Sequence, residues 1–262
     1  MDNGYNFYVL SRGGGPLGDQ NSVYIFNTKQ MAFVDSIPRD LLNSAYDYTD
    51  IEVATDERFL ILSTSRFGPY RMTIIDLVAR QKVFEQTNAA VDVEVSPNGR
   101  FIAIQGAIPN LYMDANTFDT VATDSGAGGG GSWDSTGNIF YSVRRRGGLS
   151  YIRRFDLTTR LALSETPYVD NAYPGSYVYR VQPTADLNKV FLYIYYGQNR
   201  GRVVSYNLAD STIGFSYWIG SQNTEMTITP DWKTILFTDP ENFDNWDVYR
   251  SVYMVDAISD QL

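Results

Sequence analysis

The chain has no cysteine and no histidine. Without cysteine there is no disulfide, no thiolate ligand and no thiol nucleophile. Without histidine there is no Ser-His-Asp triad, no His-ligated zinc, iron or copper, and no imidazole to shuttle protons near neutral pH. Lysine is scarce: of 21 Lys and Arg side chains, only Lys29, Lys82, Lys189 and Lys233 are lysine. The net charge of -9 argues against a general nucleic-acid binder. No apolar run approaches the ~20 residues of a membrane span, so no membrane insertion is expected. The opening MDNGYNFYVLSRGGG has neither a basic n-region nor an apolar h-region, so no signal peptide is expected. The compartment stays open, with cytoplasmic and virion-associated locations both compatible. Aromatic residues are plentiful instead: 20 Tyr, 14 Phe and 4 Trp. A strand-rich core accounts for most of them, and Tyr with Arg on loops marks an interaction face.

Six times an apolar or aromatic run stops at Asp or Asn and turns. The copies are SVYIFN (ending at Asn27), RMTIID (Asp76), NLYMD (Asp114), YIRRFD (Asp156), RVVSYN (Asn207) and SVYMVD (Asp256). Asn27 and Asp256 lie 229 residues and five intervals apart. The mean period is therefore about 46 residues, slightly above that of four-stranded propeller blades. A second run precedes each of the last five markers, led by a tight turn: ATDERFLILST, SPNGRFIAIQG, DSTGNIFYSV, TADLNKVFLYIYY and TPDWKTILFTD. Two further short runs complete a unit of four antiparallel strands, a to d. Only Pro38 to Tyr46 offers a helix, of one or two turns. The expected fold is all-β, a six-bladed β-propeller of four-stranded antiparallel blades, with residues 1–262 forming one domain. The first repeat opens at strand b and the last ends after strand c. The tally is about 22 strands against about 24 for six complete blades, so both terminal blades are short of a strand. The seam this leaves is expected to be covered by a neighbouring chain, or by the tails Met1–Tyr5 and Ser259–Leu262.

The SPNG turn at Ser96–Gly99 and the TPDW turn at Thr229–Trp232 resemble the "SPDG" turn of WD40-like, YVTN and TolB-type propellers. The resemblance spans nearly the whole chain and implies a fold superfamily, with no activity attached.

The a–b and c–d turns are short, whereas the b–c and d–a connections are long and irregular. Long loops on one side of a rigid scaffold concentrate function, which places the working surface on the b–c/d–a side. Blade 4 carries Arg144, Arg145 and Arg146 against Arg153 and Arg154 across one hairpin, and blade 5 adds Arg200 and Arg202. Blades 1 and 2 offer Arg12, Arg66 and Arg71, while blade 6 is acidic, with Asp239, Glu241, Asp244 and Asp247. These are either solvated hairpin tips or a docking surface of complementary charge. Candidate aromatic anchors are Tyr70, Tyr173, Phe243 and Trp246.

The segment Asp239–Asp247 lacks EF-hand spacing and the central Gly, so it reads as a solvated acidic loop, not a calcium site. The tract Gly126–Gly131 lacks a GKS/T ending and a following helix, and reads as close packing near an inner strand. Sialidase-like propellers work through Arg clamps, a Tyr nucleophile and carboxylates, which needs no His. Their Asp-box is approached only by Ser132–Gly137, which has one residue too many and sits on a different turn. No catalytic residue, metal site or cofactor is therefore assigned. The reading is a non-enzymatic propeller that binds other protein chains, copies of itself included, as a structural subunit of a larger assembly such as a virion-type component. The second reading is a carbohydrate-binding or glycoside-cleaving propeller.

Overall fold

A computed structural model describes residues 6–11, 22–38, 40–42, 48, 50–54, 57–64, 71–87, 92–106, 109–126, 129–170, 173, 176–197, 200–219, 224–240 and 250–262. Among them there is no helix; of the stretch Pro38 to Tyr46, residues 38 and 40–42 are described, with the Leu41 N–H bonded to Pro38 O, and the rest lies outside the described residues. Six antiparallel sheets succeed one another along the chain, the blade order of a six-bladed β-propeller.

The chain divides into two compact units, Met1–Ala107 with Leu111–Val121, and Ile108–Asn110 with Ala122–Leu262. Blade 1 holds β1 (Asn6–Ser11), β2 (Ser22–Asn27) and β3 (Ala32–Ser36). Blade 2 holds β4 (Asp50–Val53), β5 (Phe59–Ser63), β6 (Arg71–Asp76) and β7 (Gln81–Thr87). Blade 3 holds β8 (Asp92–Val95), β9 (Phe101–Gln105), β10 (Asn110–Asp114) and β11 (Thr120–Asp124). Blade 4 holds β12 (Ser132–Trp133), β13 (Ile139–Arg146), β14 (Leu149–Asp156) and β15 (Leu161–Tyr168). Blade 5 holds β16 (Tyr177–Pro183), β17 (Lys189–Gly197), β18 (Arg200–Asn207) and β19 (Ile213–Ile219). Blade 6 holds β20 (Met226–Ile228), β21 (Thr234–Pro240) and β22 (Arg250–Asp256). The first and last sheets have three strands, as the strand tally requires.

The repeated Asp or Asn has a local physical role. Its side-chain oxygen accepts backbone N–H groups two and three residues on: Val78 and Ala79 at Asp76, Asn116 and Thr117 at Asp114, Thr158 and Thr159 at Asp156, Ile258 and Ser259 at Asp256. These bonds close the c–d turn, a job suited to a short polar side chain. The fourth residue after every marker then takes a left-handed φ between 51 and 62° (Met31, Arg80, Phe118, Arg160, Ser211, Asp260). The a–b turns use the same device one strand earlier. The Ser96, Asp134 and Thr229 side chains accept the N–H groups of Phe101, Ile139 and Thr234.

The turn carboxylates of Asp76, Asp156 and Asp256 titrate low. At Asp76 the Ala79 N–H is the main cause. At Asp156 burial alone raises the carboxyl, but the N–H and hydroxyl groups of Thr158 and Thr159 outweigh it. At Asp256 the Ser259 N–H leads. A carboxyl whose folded pKa lies below its unfolded value adds stability above the unfolded value and loses it as pH falls through the folded one. The melting temperature is therefore expected to hold down to about pH 5 and to fall steadily below about pH 4. A melting curve unchanged from neutral pH into that acid range contradicts this reading of the turns.

Within each unit the cores lie between successive blades. In the first unit Val23 packs with Leu60, Leu62 and Ile75, and Ile61, Met72 and Ile74 pack with Ile102, Ile104 and Met113. In the second unit Tyr141 and Ile152 pack with Leu192, Val204 and Tyr206, and Phe191 and Val203 pack with Ile235, Phe237 and Val255. Each buried side chain of this size contributes roughly 1.5–3 kcal/mol.

Within the glycine tract, Gly130 and Gly131 are closely packed against strands. A Cβ on Gly131 would overlap Tyr141 O and the Phe140 ring, and one on Gly130 would overlap Tyr179 O. In place of a side chain, Gly130 O accepts the Val181 N–H at 2.7 Å.

Of the expected seam covers, Met1–Tyr5 lies outside the described residues. Ser259–Leu262 folds back on Asp256 at the end of β22, whose N–H donates to Gln261 O and whose carbonyl accepts the Asp260 N–H, and lays down no further strand. Beside β1, Asn6, Phe7 and Tyr8 line a cavity of about 340 Å³ with Ile51, Val53, Ala54 and Glu57.

Candidate partner-binding surface

The arginines singled out from sequence do not form one free basic sector. Strands β13 and β14 are joined by Gly147 and Gly148 at φ 60 and 82°, the left-handed pair that a two-residue hairpin turn demands. The register sets Arg144 opposite Tyr151, Arg145 opposite Ser150 and Arg146 opposite Leu149. Alternation then sends Arg144, Arg146, Tyr151 and Arg153 to one face and Arg145 and Arg154 to the other.

On the first face Arg153 makes a two-pronged contact with Asp124, Nε to Oδ2 at 2.6 Å and Nη2 to Oδ1 at 2.9 Å. It also donates to Glu165, which Arg144 reaches at 2.9 Å. Burial alone raises the Glu165 carboxyl, but the Arg144 and Arg153 donors outweigh it and hold it low. The Arg153 guanidinium is held above its ordinary range, chiefly by its bonds to Asp124. Gly126 lies against these guanidinium groups, and its N–H donates to Asp124 Oδ1. Arg154 donates to Ser164 Oγ at 2.7 Å.

Arg202 is buried. Its Nη2 donates to Asp170 Oδ2 at 2.9 Å, an oxygen that also accepts the hydroxyls of Tyr168 and Tyr196, each at 3.1 Å. Burial pushes both phenols well above their usual range, so they act as neutral donors. Over the guanidinium sit the rings of Tyr173, Trp218 and Tyr196, with centroids 5.5, 5.7 and 5.9 Å away. The three rings meet one another at 5.1–5.2 Å. Tyr173 and Trp218 are each partly open to solvent.

Arg144, Arg153, Arg154 and Arg202 are thus held internally, while Arg145, Arg146 and Arg200 are exposed. Among the described residues, no ion pair engages these three. Arg145 stacks 3.4 Å over Tyr177, and Arg146 lies 5.1 Å from the Tyr151 ring. Tyr177 continues into Tyr195 at 5.2 Å and into the exposed Tyr179 at 6.4 Å. Among the described residues, exposed cations and open aromatic rings therefore both lie toward the strand ends that carry the b–c and d–a connections of blades 4 and 5. Tyr70, Phe243 and Trp246 lie outside the described residues, as do Arg12, Arg66, Glu241, Asp244 and Asp247; the Asp239 side chain is likewise not described.

Sequence reasoning missed Trp218 and Tyr179. Both sit at alternate positions of strands, where a core role is the default reading, and only the sheet shows that β16 and β19 leave these rings open.

At Ser132–Gly137, Asp134 is spent on its turn: Oδ1 accepts the N–H groups of Asn138 and Ile139, and Oδ2 accepts the Thr136 hydroxyl. Among the described residues no cluster of three or more Asp or Glu is placed to hold a metal ion. No helix among them is long and apolar enough to cross a membrane.

No protein-family model matches the chain, and no curated protein matches it. Solved structures do. A chain of hydrazine synthase from Kuenenia stuttgartiensis aligns over 97% of this chain and 74% of its own length, at 12% identity and TM-score 0.69. KlAtg21, solved in complex with the coiled coil of AgAtg16, aligns over 99% and 80%, at 13% identity and TM-score 0.70. TolB from Acinetobacter baumannii aligns over 98% of this chain, which spans 62% of TolB, at 14% identity and TM-score 0.62. The likeness is one of fold. It bears out the WD40-like and TolB-type resemblance read from the SPNG and TPDW turns. One propeller scaffold serves an enzyme complex and a coiled-coil partner alike, so function must be argued from the surface.

Proposed function

We propose that this chain is a non-enzymatic propeller that docks an acidic protein surface and serves as a structural or adaptor subunit of an assembly. The observation that carries the reading is the exposed trio Arg145, Arg146 and Arg200 on blades 4 and 5, with Arg145 stacked on Tyr177 and with the open rings of Tyr173, Tyr179 and Trp218 on blade 5. Arg, Tyr and Trp are the residue types that dominate binding energy at protein interfaces. A stacked guanidinium such as Arg145 is already ordered, which lowers the entropy lost when it pairs with a carboxylate. KlAtg21, with its coiled-coil partner, shows a propeller of this fold engaged in protein binding. The glycoside-cleaving alternative has less support. Asp124 and Glu165 are both committed to Arg153, and among the described residues the cavity beside β1 offers Glu57 as its one carboxylate.

The test is charge reversal on the intact assembly. The triple variant Arg145→Glu, Arg146→Glu and Arg200→Glu should fold normally, since none of the three is in an ion pair among the described residues. It should weaken partner association by two or more of the roughly tenfold steps that 1.4 kcal/mol each represents. The wild-type interaction should also weaken as salt rises. Association unchanged in the variant and indifferent to salt removes this surface from the role.

A further inference from the structure

Register slips show where blade 5 departs from the other blades. In the c–d pairs of blades 1, 2, 4 and 5 the ladder slips by one residue near the turn, so that slip belongs to the repeat. Among the described residues, the a–b and b–c pairs of the other blades run without a slip. Blade 5 has two. Between β16 and β17, Val178 pairs with Ile194 and Arg180 with Tyr193, so Tyr179 is the extra residue. Between β17 and β18, Tyr195 pairs with Gly201 and Gly197 with Arg200, so Tyr196 is the extra residue. Both insertions deliver a tyrosine, and bulges of this kind re-aim side chains beside functional sites. Tyr196 turns inward, onto Asp170 and Arg202. Tyr179 does not, and is 53% exposed.

The slip at Tyr179 is held in place. Val178 and Val181 both lie in the core shared with blade 4, three positions apart, where plain alternation would send them to opposite faces. The extra residue restores their phase. Gly130 grips the bulge from the other side: a Cβ there would overlap Tyr179 O, and Gly130 O accepts the Val181 N–H. The Tyr179 ring stands edge to face with the buried Tyr193 at 6.0 Å and lies 6.4 Å from Tyr177, the ring on which Arg145 stacks. Blades 4 and 6, the neighbours of blade 5, belong to the same compact unit, so these contacts are all set within it.

We propose that Tyr179 is the aromatic anchor of the docking surface, and that the surface fits an acidic segment carrying an aromatic side chain. The partner's ring packs on Tyr179 while a neighbouring carboxylate pairs with Arg145. This rests on the acidic-partner reading above and adds the second half of the recognition. Charge complementarity selects the acid, since Arg145 and Arg146 are exposed and in no ion pair among the described residues. The open part of the Tyr179 ring, with two tyrosines already set against it, offers a further ring the same packing. Held by the bulge, Tyr179 loses little freedom when it binds.

Binding of labelled poly-glutamate and of a random glutamate–tyrosine copolymer, matched in number of glutamates, to the purified full-length chain at low salt tests it. The wild type should bind both, and the copolymer about threefold to tenfold more tightly, the worth of one aromatic pair. Tyr179→Ala should hold poly-glutamate as the wild type does and lose the preference for the copolymer. Tyr179→Phe should keep that preference. A wild type that binds both polymers equally, or a Tyr179→Ala variant that keeps the preference, overturns this proposal and leaves the acidic-partner reading standing. A wild type that binds neither polymer overturns both.

Discussion

Asp124→Ala is expected to destabilise the protein by about 3–5 kcal/mol, because it removes one member of a largely buried ion pair and strands the other. Asp124 is nearly inaccessible and accepts two bonds from Arg153 and a third from the Gly126 N–H; among the described residues the other carboxylate on Arg153 is Glu165, which Arg144 already shares. Arg153 cannot shed its charge, so the cost falls on the fold. A shift of the urea midpoint at constant slope reads it directly. The double replacement Asp124→Leu with Arg153→Met should recover most of the loss, since an apolar pair of similar volume needs no desolvation. A loss under about 1 kcal/mol for Asp124→Ala would mean that water, not protein, solvates Arg153.

Gly130→Ala is expected to cost at least about 3 kcal/mol, although it adds a single methyl group. Two effects combine. The residue sits at φ 74°, where an L side chain is strained, and its Cβ would overlap the carbonyl oxygen of Tyr179 on β16. That oxygen belongs to backbone, so no rotamer change relieves the clash. The Gly130 carbonyl that accepts the Val181 N–H would have to move with it. Gly129→Ala, a single position away, meets nothing within 4 Å and should be close to neutral. Equal melting temperatures for the two variants contradict this account of the tract.

The sequence made the architecture legible because the signals that define it are local. An Asp or Asn that caps its own turn announces itself in the run that ends on it, and six copies fix the period. The strand count, with both end blades short of a strand, followed from the same markers. The state of the arginines was not legible. Arg153 is tied to Asp124 and Arg202 to Asp170 across 29 and 32 positions of sequence, and no run-length or spacing rule reports such pairs. Counting charges does not show this, and among the described arginines of blades 4 and 5 pairing leaves Arg145, Arg146 and Arg200 exposed. Trp218 and Tyr179 were hidden for a different reason. Alternation says which face of a strand a residue takes, but only the neighbouring elements say whether that face is covered.

Oxidative footprinting of the native assembly tests the central claim most directly. Tyr173, Tyr179 and Trp218 are reactive ring types exposed in the single chain. The account predicts that all three lose reactivity in the assembly and regain it in the Arg145, Arg146 and Arg200 charge-reversal variant. Rings that stay as reactive in the assembly as in the isolated chain would contradict it.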